Sequence, residues 1–457
     1  MNVDRRHPLG FWLETCGEDL APRPPLSGDL EVDVAIVGGG FTGLWTAYYL
    51  ARSDPGLRIA VLERRVAGFG ASGRNGGWAS AELTVPPTAL AARFGTDGAR
   101  AMGEALRDAV LEIERVCGAE GIDAHLARGG SLKVATSALE ADLLRAELDT
   151  LASLDEGGRR WLDADEAGER IAVRDLHGAV FTPHCAAVQP ARLARGLARV
   201  VEGLGVRIFE GTTARGLVPG LVRTDRGTVR AGVVVRALEG ETGSLRGHER
   251  LLLALHIHMG VTEPLSASFW DEVGWRGRET LADARPVFVY AQRTADDRIA
   301  LGLARGHPHP GWLTPHYVVP SAARALRATL ARLFPRAAGV RIERLWSGYI
   351  GAPRDGLPSV GLRDGIAWAG GYFGDGVAAS NLAGRTLAEL ILHRSSERTE
   401  LPWVGHRWRP WEPTPLAMAG AAAAFAAMAW ADAVQARTGR PSRLLGAGER
   451  LLFGRTR

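Results

Sequence analysis

The distribution of apolar residues near the N-terminal end of the chain predicts a βαβ unit. Residues 32–37 form a largely β-branched run that is typical of a strand buried on both faces. Apolar residues with helical spacing follow at 41–51, and a second strand-like run covers 58–62. A strand, a helix and a strand in this order indicate two parallel strands in an α/β domain.

The middle of the chain predicts a second sheet of a different kind. Strand-like segments at 251–263, 285–292 and 298–302 favour an antiparallel sheet, and the last two form a hairpin around the turn Asp296-Asp297. The first pattern then returns, since a strand at 366–371 leads through glycines into a helix. Further helices and strands are predicted at 88–117, 129–135, 138–154, 189–202, 205–210, 212–218, 221–224, 229–236, 321–333 and 341–349.

The turn between the first strand and its helix has the spacing G-x-G-x-x-G at Gly38, Gly40 and Gly43. The first glycine permits the tight turn, the second lets a diphosphate approach the backbone, and the third lets the helix lie close to the strand. Free N–H groups at the start of the helix attract phosphate. Glu63 ends the second strand about 20 residues later, where an acid accepts hydrogen bonds from an adenosine ribose and favours FAD or NAD over NADP.

Two further glycine-rich segments follow strands of the same fold. The stretch 68–78 carries five glycines, which excludes a stable helix or strand, and we expect it to wrap the cofactor. The turn 371–376 leads into a helix, so it brings a second helix N-terminus towards the cofactor.

Composition and charge narrow the class of protein. With 457 residues, 46 % of them apolar and 23 % charged, the chain suits a globular protein of two domains with an appendage. A net charge of +4 is too small to indicate a nucleic-acid partner. The three scattered cysteines give neither a metal site nor a disulfide framework, and residues 1–7 lack the apolar core of a signal peptide. We therefore expect a cytoplasmic protein.

The C-terminal segment 401–457 is basic and contains an alanine-rich run at 416–430. This run is shorter than the roughly 20 residues that a membrane span needs. We expect a helix docked on the body, with contact to a membrane or to a partner as the less favoured alternative.

Together these motifs resemble the FAD-dependent amine and amino-acid oxidoreductases of the D-amino-acid oxidase superfamily, of the sarcosine and glycine oxidase type, and look most like its γ-glutamylputrescine oxidase-like members. The matching segments are 33–43, 70–77, 262–265 and 371–377. The resemblance implies an α/β fold in which a FAD-binding Rossmann-like domain of the glutathione-reductase type lies beside a substrate domain built on an antiparallel sheet. The implied ranges are an N-terminal arm at 1–30, a discontinuous FAD-binding domain at 31–90, 155–248 and 340–400, a substrate domain at 91–154 and 249–339, and a C-terminal helical tail at 401–457.

The resemblance also implies cofactor positions and a mode of attachment. Related enzymes that attach FAD covalently use a cysteine where this chain has Leu345-Trp346-Ser347, so noncovalent FAD is expected. Arg74 is expected at the flavin or at an acidic group of the substrate, or else facing solvent. The residues expected along the cofactor are Gly38, Gly40, Phe41, Thr42, Gly43, Glu63, Arg64, Gly70, Ala71, Ser72, Arg74, Asn75, Gly76, Gly77, Ala214, Gly374, Gly376 and Val377.

In that family a primary or secondary amine passes hydride to flavin, water hydrolyses the imine to an aldehyde, and O₂ reoxidises the flavin and gives H₂O₂. Two departures bear on this expectation. The lysine that holds the substrate carboxylate in relatives is absent from 376–379. Relatives also carry a lysine over the flavin that helps oxygen react, and Lys133, the only lysine of this chain, lies in a different part of the sequence. A dehydrogenase with another electron acceptor therefore stays open, and the altered stretch 237–242 leaves open a FAD-binding protein whose catalysis has decayed.

Four residues are the candidates for contact with the substrate. Asp375 either attracts an ammonium group or caps the helix that follows it. His256 and His258 share one face of a strand, where one of them polarises oxygen or accepts a proton, unless both are ordinary strand histidines. Tyr290 and Phe288 either flank the amine with aromatic rings or pack in the core.

Overall fold

The computed structural model describes residues 9–154, 157–308, 318–442 and 444–453. Its helices are α1 (Phe11–Glu14), α2 (Phe41–Ser53), α3 (Pro87–Ala119), α4 (Ala138–Ala152), α5 (Ala164–Gly168), α6 (Pro190–Gly203), α7 (Ala267–Val273), α8 (Pro320–Leu333), α9 (Gly376–Ile391), α10 (Thr414–Thr438) and α11 (Leu444–Phe453). Its strands are β1 (Leu30–Val37), β2 (Ile59–Leu62), β3 (Trp78–Ser80), β4 (Ser131–Ala135), β5 (Arg160–Leu162), β6 (Gly178–Thr182), β7 (Cys185–Ala187), β8 (Arg207–Phe209), β9 (Ala214–Val218), β10 (Leu221–Thr224), β11 (Thr228–Arg236), β12 (Leu253–Thr262), β13 (Thr280–Asp283), β14 (Val289–Arg293), β15 (Ile299–Leu303), β16 (His307–Pro308), β17 (Ile342–Ala352), β18 (Ser359–Arg363) and β19 (Ile366–Gly370).

The first sheet has the strand order β18-β19-β11-β1-β2-β8, with β10 and β9 added beside β11. Its central strand β1 pairs in parallel with both β11 and β2, and α2 connects β1 to β2, so the predicted βαβ unit is confirmed. Residues from α2, α3, α6 and α9 bury one face of this sheet in a single apolar cluster. Because the second half of β1 is covered on both sides of the sheet, its residues 34–37 are apolar without alternation.

The second sheet has the order β16-β12-β15-β14-β13-β4-β6-β5, and β17 pairs with β12 along its whole length. Every pairing is antiparallel except that between β13 and β4. The hairpin predicted around Asp296-Asp297 is confirmed by the register of β14 and β15, in which Val289 lies opposite Leu303 and Arg293 opposite Ile299. One face of this sheet is covered by α7 and α8 through a second apolar cluster.

The structure differs from the implied domain ranges in three places. Strands β5 and β6, expected in the FAD-binding domain, pair in the second sheet, and so does β17. Helix α3, expected in the substrate domain, packs through Met102, Leu106 and Ile113 into the core of the first sheet. The amphipathic pattern of a short element shows that one of its faces is buried, but it does not show which of two neighbouring cores buries that face.

Candidate functional site

A tight turn joins β1 to α2, and its glycines leave no room for side chains. Gly38 has a φ of 111°, and a Cβ placed on it would lie 2.3 Å from the carbonyl oxygen of Ala237. A Cβ on Gly43 would lie 2.0 Å from the carbonyl oxygen of Gly38. Ser72 Oγ accepts a hydrogen bond of 2.8 Å from the N–H of Phe41, the first residue of α2. The turn therefore presents backbone atoms to whatever occupies the space in front of α2.

Glu63 lies where β2 ends, with its carboxylate facing this turn. Its two oxygens accept hydrogen bonds of 2.8 Å from the N–H groups of Gly39 and Arg65. Burial raises the pKa of Glu63 to about 7, because little solvent reaches the carboxylate. The neighbouring Arg64 forms an ion pair with Glu241, 2.6 Å apart. The acid is therefore oriented by backbone groups before any ligand binds.

The glycine-rich loop at 68–77 is fixed by hydrogen bonds to its own backbone and to distant elements. The side-chain amide of Asn75 donates to the carbonyls of Ala71 and Ser72, and its oxygen accepts from the N–H of Gly77. Two indole N–H groups hold consecutive carbonyls from outside: that of Trp346 donates to Arg74 O and that of Trp12 to Asn75 O, both at 2.9 Å. The loop is thus an ordered wall rather than a flexible segment.

Arg74 is buried beneath this loop, so the alternative of a solvent-facing side chain is wrong. Its Nε donates to Phe69 O at 2.7 Å and its Nη1 to Ser347 O at 3.2 Å, while the guanidinium lies 4.5 Å from the centre of the Phe69 ring. Burial lowers the pKa of Arg74 to about 10. These contacts tie the loop to β17.

The turn before α9 brings a second helix N-terminus to the same space. Asp375 occupies the N-cap position of α9, but its side chain makes no capping hydrogen bond. Its Oδ2 instead accepts from Thr84 Oγ1 at 3.0 Å, and the same hydroxyl approaches Phe373 O at 3.2 Å. Burial, together with the nearby charge of Glu82, raises the pKa of Asp375 to about 7. Asp375 therefore links this turn to the segment after β3.

These elements enclose one elongated cavity of about 1240 Å³, counted with its open mouth. Fourteen of the expected cofactor positions line it: Gly38, Gly40, Phe41, Thr42, Glu63, Arg64, Gly70, Ala71, Ser72, Asn75, Ala214, Gly374, Gly376 and Val377. The other four lie just outside, since Gly43 packs under the turn, Arg74 under the loop, and Gly76 and Gly77 against the second sheet. The cavity contains one oriented acid, Glu63, and the N-termini of two helices, α2 and α9. These features fit FAD.

Neither histidine of β12 lines the cavity, but His256 contacts Tyr349, which does. The ring centres of the two histidines are 4.5 Å apart, and the ring of His256 stacks on Tyr349 of β17, 4.8 Å between centres. His258 lies 5.4 Å from the ring of His307, and its Nε2 accepts from the N–H of Val319 at 3.4 Å. Burial, aided by His307, lowers the pKa of His258 to about 4, so its ring is neutral at physiological pH.

Tyr290 is placed differently from the histidines. It packs beside Gly76 of the glycine-rich loop and meets the ring of Trp78 edge-on, with 6.3 Å between ring centres. Burial raises its pKa above the ordinary value of a phenol. Phe288 precedes β14 and is 40 % exposed, so the structure does not bring it to the cavity. Tyr290 supports the loop from the second sheet and does not line the cavity.

Two kinds of lining residue are not predicted by the sequence motifs. Tyr349 and Ile350 line the cavity, and only the pairing of β17 with β12 places them there. Glu239 lines the middle, with a φ of 45°, and accepts hydrogen bonds from the N–H groups of Gly371 and Gly351 at 2.8 and 3.1 Å. Burial raises its pKa to about 7. The unusual acids of 237–242 were a visible signal for Glu239, whereas local sequence gave none for Tyr349.

Comparisons with known proteins agree with this geometry. A family model described as "FAD dependent oxidoreductase" matches residues 33–390. The chain is 29 % identical over 379 residues to the gamma-glutamylputrescine oxidoreductase of Escherichia coli K12, covering 81 % of this chain and 86 % of that protein. It is 27 % identical over 391 residues to the glycine oxidase of Bacillus licheniformis, covering 79 % and 93 %. The crystal structure of glycine oxidase from Geobacillus kaustophilus shares the fold, with a TM-score of 0.66, 24 % identity and coverage of 80 % and 96 %.

Proposed function

The chain belongs to this family of FAD-dependent oxidoreductases, and from that premise we propose that it oxidises a primary or secondary amine that carries no carboxylate next to its C–N bond. FAD, when bound, supplies the two-electron acceptor for the C–H bond beside the nitrogen. The oxidised amine is an imine, which water hydrolyses to an aldehyde and ammonia or a smaller amine. With O₂ as the final acceptor, the second product is H₂O₂.

One observation carries this choice of substrate: among the described residues that line the cavity, the positive side chains lie only at the adenosine end. These are Arg64 and Arg65, which follow Glu63. Tyr349 and Ile350, which also line the cavity, carry no charge. A substrate carboxylate beside them would lose its hydration without gaining an ion pair from a lining side chain, which is costly.

The histidines behind this wall suit an amine that must be uncharged when it reacts. His258 is neutral well below physiological pH because its pKa is lowered to about 4, so it stays an uncharged hydrogen-bond acceptor, as it is towards the N–H of Val319, instead of repelling an ammonium group. The aromatic faces of Tyr349 and Tyr372 provide an apolar surface that also tolerates a cation before deprotonation. The relative named gamma-glutamylputrescine oxidoreductase supports an amine of this kind.

Matched pairs of substrates test the proposal. Under anaerobic conditions, bleaching of the bound flavin is followed with putrescine and with ornithine, which differ by one carboxylate, and with a monoalkylamine and its α-amino acid. We expect each amine to reduce the flavin at least about tenfold faster than its carboxylated partner, about 1.4 kcal/mol in the barrier. Faster reduction by the amino acids would contradict the proposal, and a panel that never bleaches the flavin would favour a decayed enzyme.

The position of the single lysine favours a second candidate, a dehydrogenase with an acceptor other than O₂. Lys133 lies on β4 and pairs with Glu147 at 2.8 Å, and it does not line the cavity. A cation near reduced flavin would stabilise the charge that develops when O₂ reacts. Mixing the reduced enzyme with air-saturated buffer separates the candidates, since reoxidation slower than turnover with an artificial acceptor identifies the dehydrogenase.

A further inference from the structure

The C-terminal hairpin of α10 and α11 lies outside the part of the chain that matches the family. The family model ends at residue 390, and the glycine oxidase structure is covered to 96 % while only 80 % of this chain is used. Helix α10 alone is 25 residues long. The hairpin is therefore an addition to the shared fold, and the cavity does not explain the composition of its surface.

One face of α10 is fixed to the body of the protein. Ala417, Ala421, Ala424 and Ala431 are buried on this face. Asp432 forms an ion pair with Arg285 of the second domain. The predicted docking of this helix is confirmed for this face.

The opposite face of α10 is exposed and apolar along its whole length. Leu416 is 65 % exposed and Trp430 66 % exposed, the largest exposures among the large apolar side chains of the described residues. A helix at a protein surface ordinarily carries polar residues on its outer face. The exposed residues between 416 and 433 are Leu416, Ala419, Ala422, Ala423, Ala426, Trp430 and Ala433, and none of them is charged.

The C-terminal segment that carries this face has more basic than acidic residues. Residues 401–457 contain eight arginines and three acids. Two of those acids are already used, Glu412 by Arg354 and Asp432 by Arg285. Arg437 continues the exposed face one turn beyond Ala433, and neither Arg437 nor Arg440 has an ion pair within the described part of the chain. An anionic surface therefore complements this end of the helix.

The size of the face argues against a second copy of the chain as the occupant. The 18 residues from 416 to 433 span about 27 Å at 1.5 Å per residue, and a helix face about 10 Å wide gives about 270 Å² per copy. Two copies would bury about 540 Å² in total, whereas stable interfaces bury at least about 1,200 Å². A lipid surface has no such minimum, since binding adds apolar burial to attraction of basic residues by anionic headgroups.

We propose that the exposed face of α10, from Leu416 to Trp430 with the arginines at its C-terminal end, binds the protein to the surface of an anionic bilayer. By length and composition alone α10 could cross a membrane. Crossing would strip the four buried alanines and the Asp432–Arg285 pair from their partners, so the helix lies in the plane of the interface. Trp430 suits this depth, because indole rings favour the headgroup region.

The test is flotation of the holoenzyme with vesicles of phosphatidylcholine containing about a third of phosphatidylglycerol. We expect the protein to float with these vesicles at low salt, to bind phosphatidylcholine alone at least about tenfold more weakly, and to be released by about 0.5 M salt. Leu416→Ser with Trp430→Ser, and separately Arg437→Gln with Arg440→Gln, should each weaken binding about tenfold. Leu143→Ser, at a 40 % exposed leucine on α4, is the matched control and should bind as the wild type.

Flavin absorbance and the thermal unfolding midpoint of each variant establish that it is folded. No flotation at low salt, or equal flotation of wild type and both double variants, would overturn the proposal. So would a dimer in sedimentation velocity that Leu416→Ser with Trp430→Ser dissociates, since a second copy would then be the occupant. Amine bleaching of the same preparations reports on the proposed activity separately, because neither double variant alters the cavity.

Discussion

Two regions of the cavity, the end at Glu63 and the wall at Tyr349, present different kinds of atom to a ligand. At the adenosine end, backbone N–H groups of Gly39 and Arg65 orient Glu63, and the start of α2 presents further N–H groups. In the second region, side chains of β17 line the cavity, and His256 of β12 stacks on one of them, Tyr349. Backbone atoms are the same whatever the sequence, so the first end recognises a common cofactor, while the second end is free to differ between relatives with different substrates.

The largest effect is expected from a substitution that fills the space at the turn between β1 and α2. Gly43→Val places a branched side chain where even a Cβ lies 2.0 Å from Gly38 O, so α2 must move away from β1. We expect FAD affinity to fall at least about 100-fold, about 2.8 kcal/mol. The measurement is titration of the FAD-free protein by flavin fluorescence. Gly203→Ala, at the end of α6 with nothing within 4 Å of the new Cβ, is the control and should bind FAD normally.

A change at the opposite end should separate catalysis from cofactor binding. His258→Phe removes a neutral hydrogen-bond acceptor but no residue that lines the cavity, so we expect kcat/KM for the amine to fall roughly tenfold with FAD affinity unchanged. Because the pKa of His258 is lowered to about 4, the wild-type requirement for its neutral form should appear only below about pH 5. His177→Phe, at an exposed histidine that does not line the cavity, should leave both quantities unaltered. An equal loss of FAD affinity in His258→Phe would contradict the separation of cofactor binding from catalysis.

The next test concerns Glu63, the one side chain that we assign to the adenosine end of the cavity. Glu63→Gln keeps an acceptor but loses the charge and one site for a ribose hydroxyl, so we expect FAD to bind about tenfold more weakly. Turnover at saturating FAD should stay near that of the wild type. If Glu63→Gln instead lowers turnover and leaves affinity intact, the acid acts on the reaction and the assignment of this end is wrong.

The contrast between backbone atoms and side chains also explains why the sequence predicted one end of the cavity better than the other. The glycine turn, Glu63 and the loop at 68–77 are contiguous motifs whose spacing alone defines their geometry, and the cavity contains most of the residues predicted from them. The far wall depends on strand register, since His256 lies opposite Tyr349, more than 90 residues later in the chain. A shift of one residue would turn every side chain of β12 to the other face. Local patterns therefore predicted the histidines but not Tyr349 or Ile350.

The raised pKa of Glu239 predicts that the free energy of unfolding depends on pH. Its pKa is about 7 in the folded protein and near 4.5 when unfolded, so between these values the folded state keeps a proton that the unfolded state has released. The free energy of unfolding of the FAD-free protein should therefore fall as the pH rises from about 5 to about 7, and Glu239→Gln should remove about 2 kcal/mol of that fall. Glu104→Gln, at an exposed site on α3, should keep the wild-type slope in urea titrations at each pH. Equal slopes in wild type and Glu239→Gln would show that this acid is charged throughout.

The smallest effect is expected from the loop that joins the two ends. Trp12→Phe keeps an aromatic ring beside Trp346 but removes the hydrogen bond of 2.9 Å to Asn75 O, so the loop loses one of its two indole contacts. A loss of about 1 kcal/mol corresponds to a roughly fivefold weaker affinity for FAD. Trp411→Phe removes a similar indole hydrogen bond, to Ala352 O at 2.8 Å, within the C-terminal cluster. Both variants should lose comparable stability, so a difference in FAD affinity between them measures what the loop contributes to the cofactor rather than to the fold.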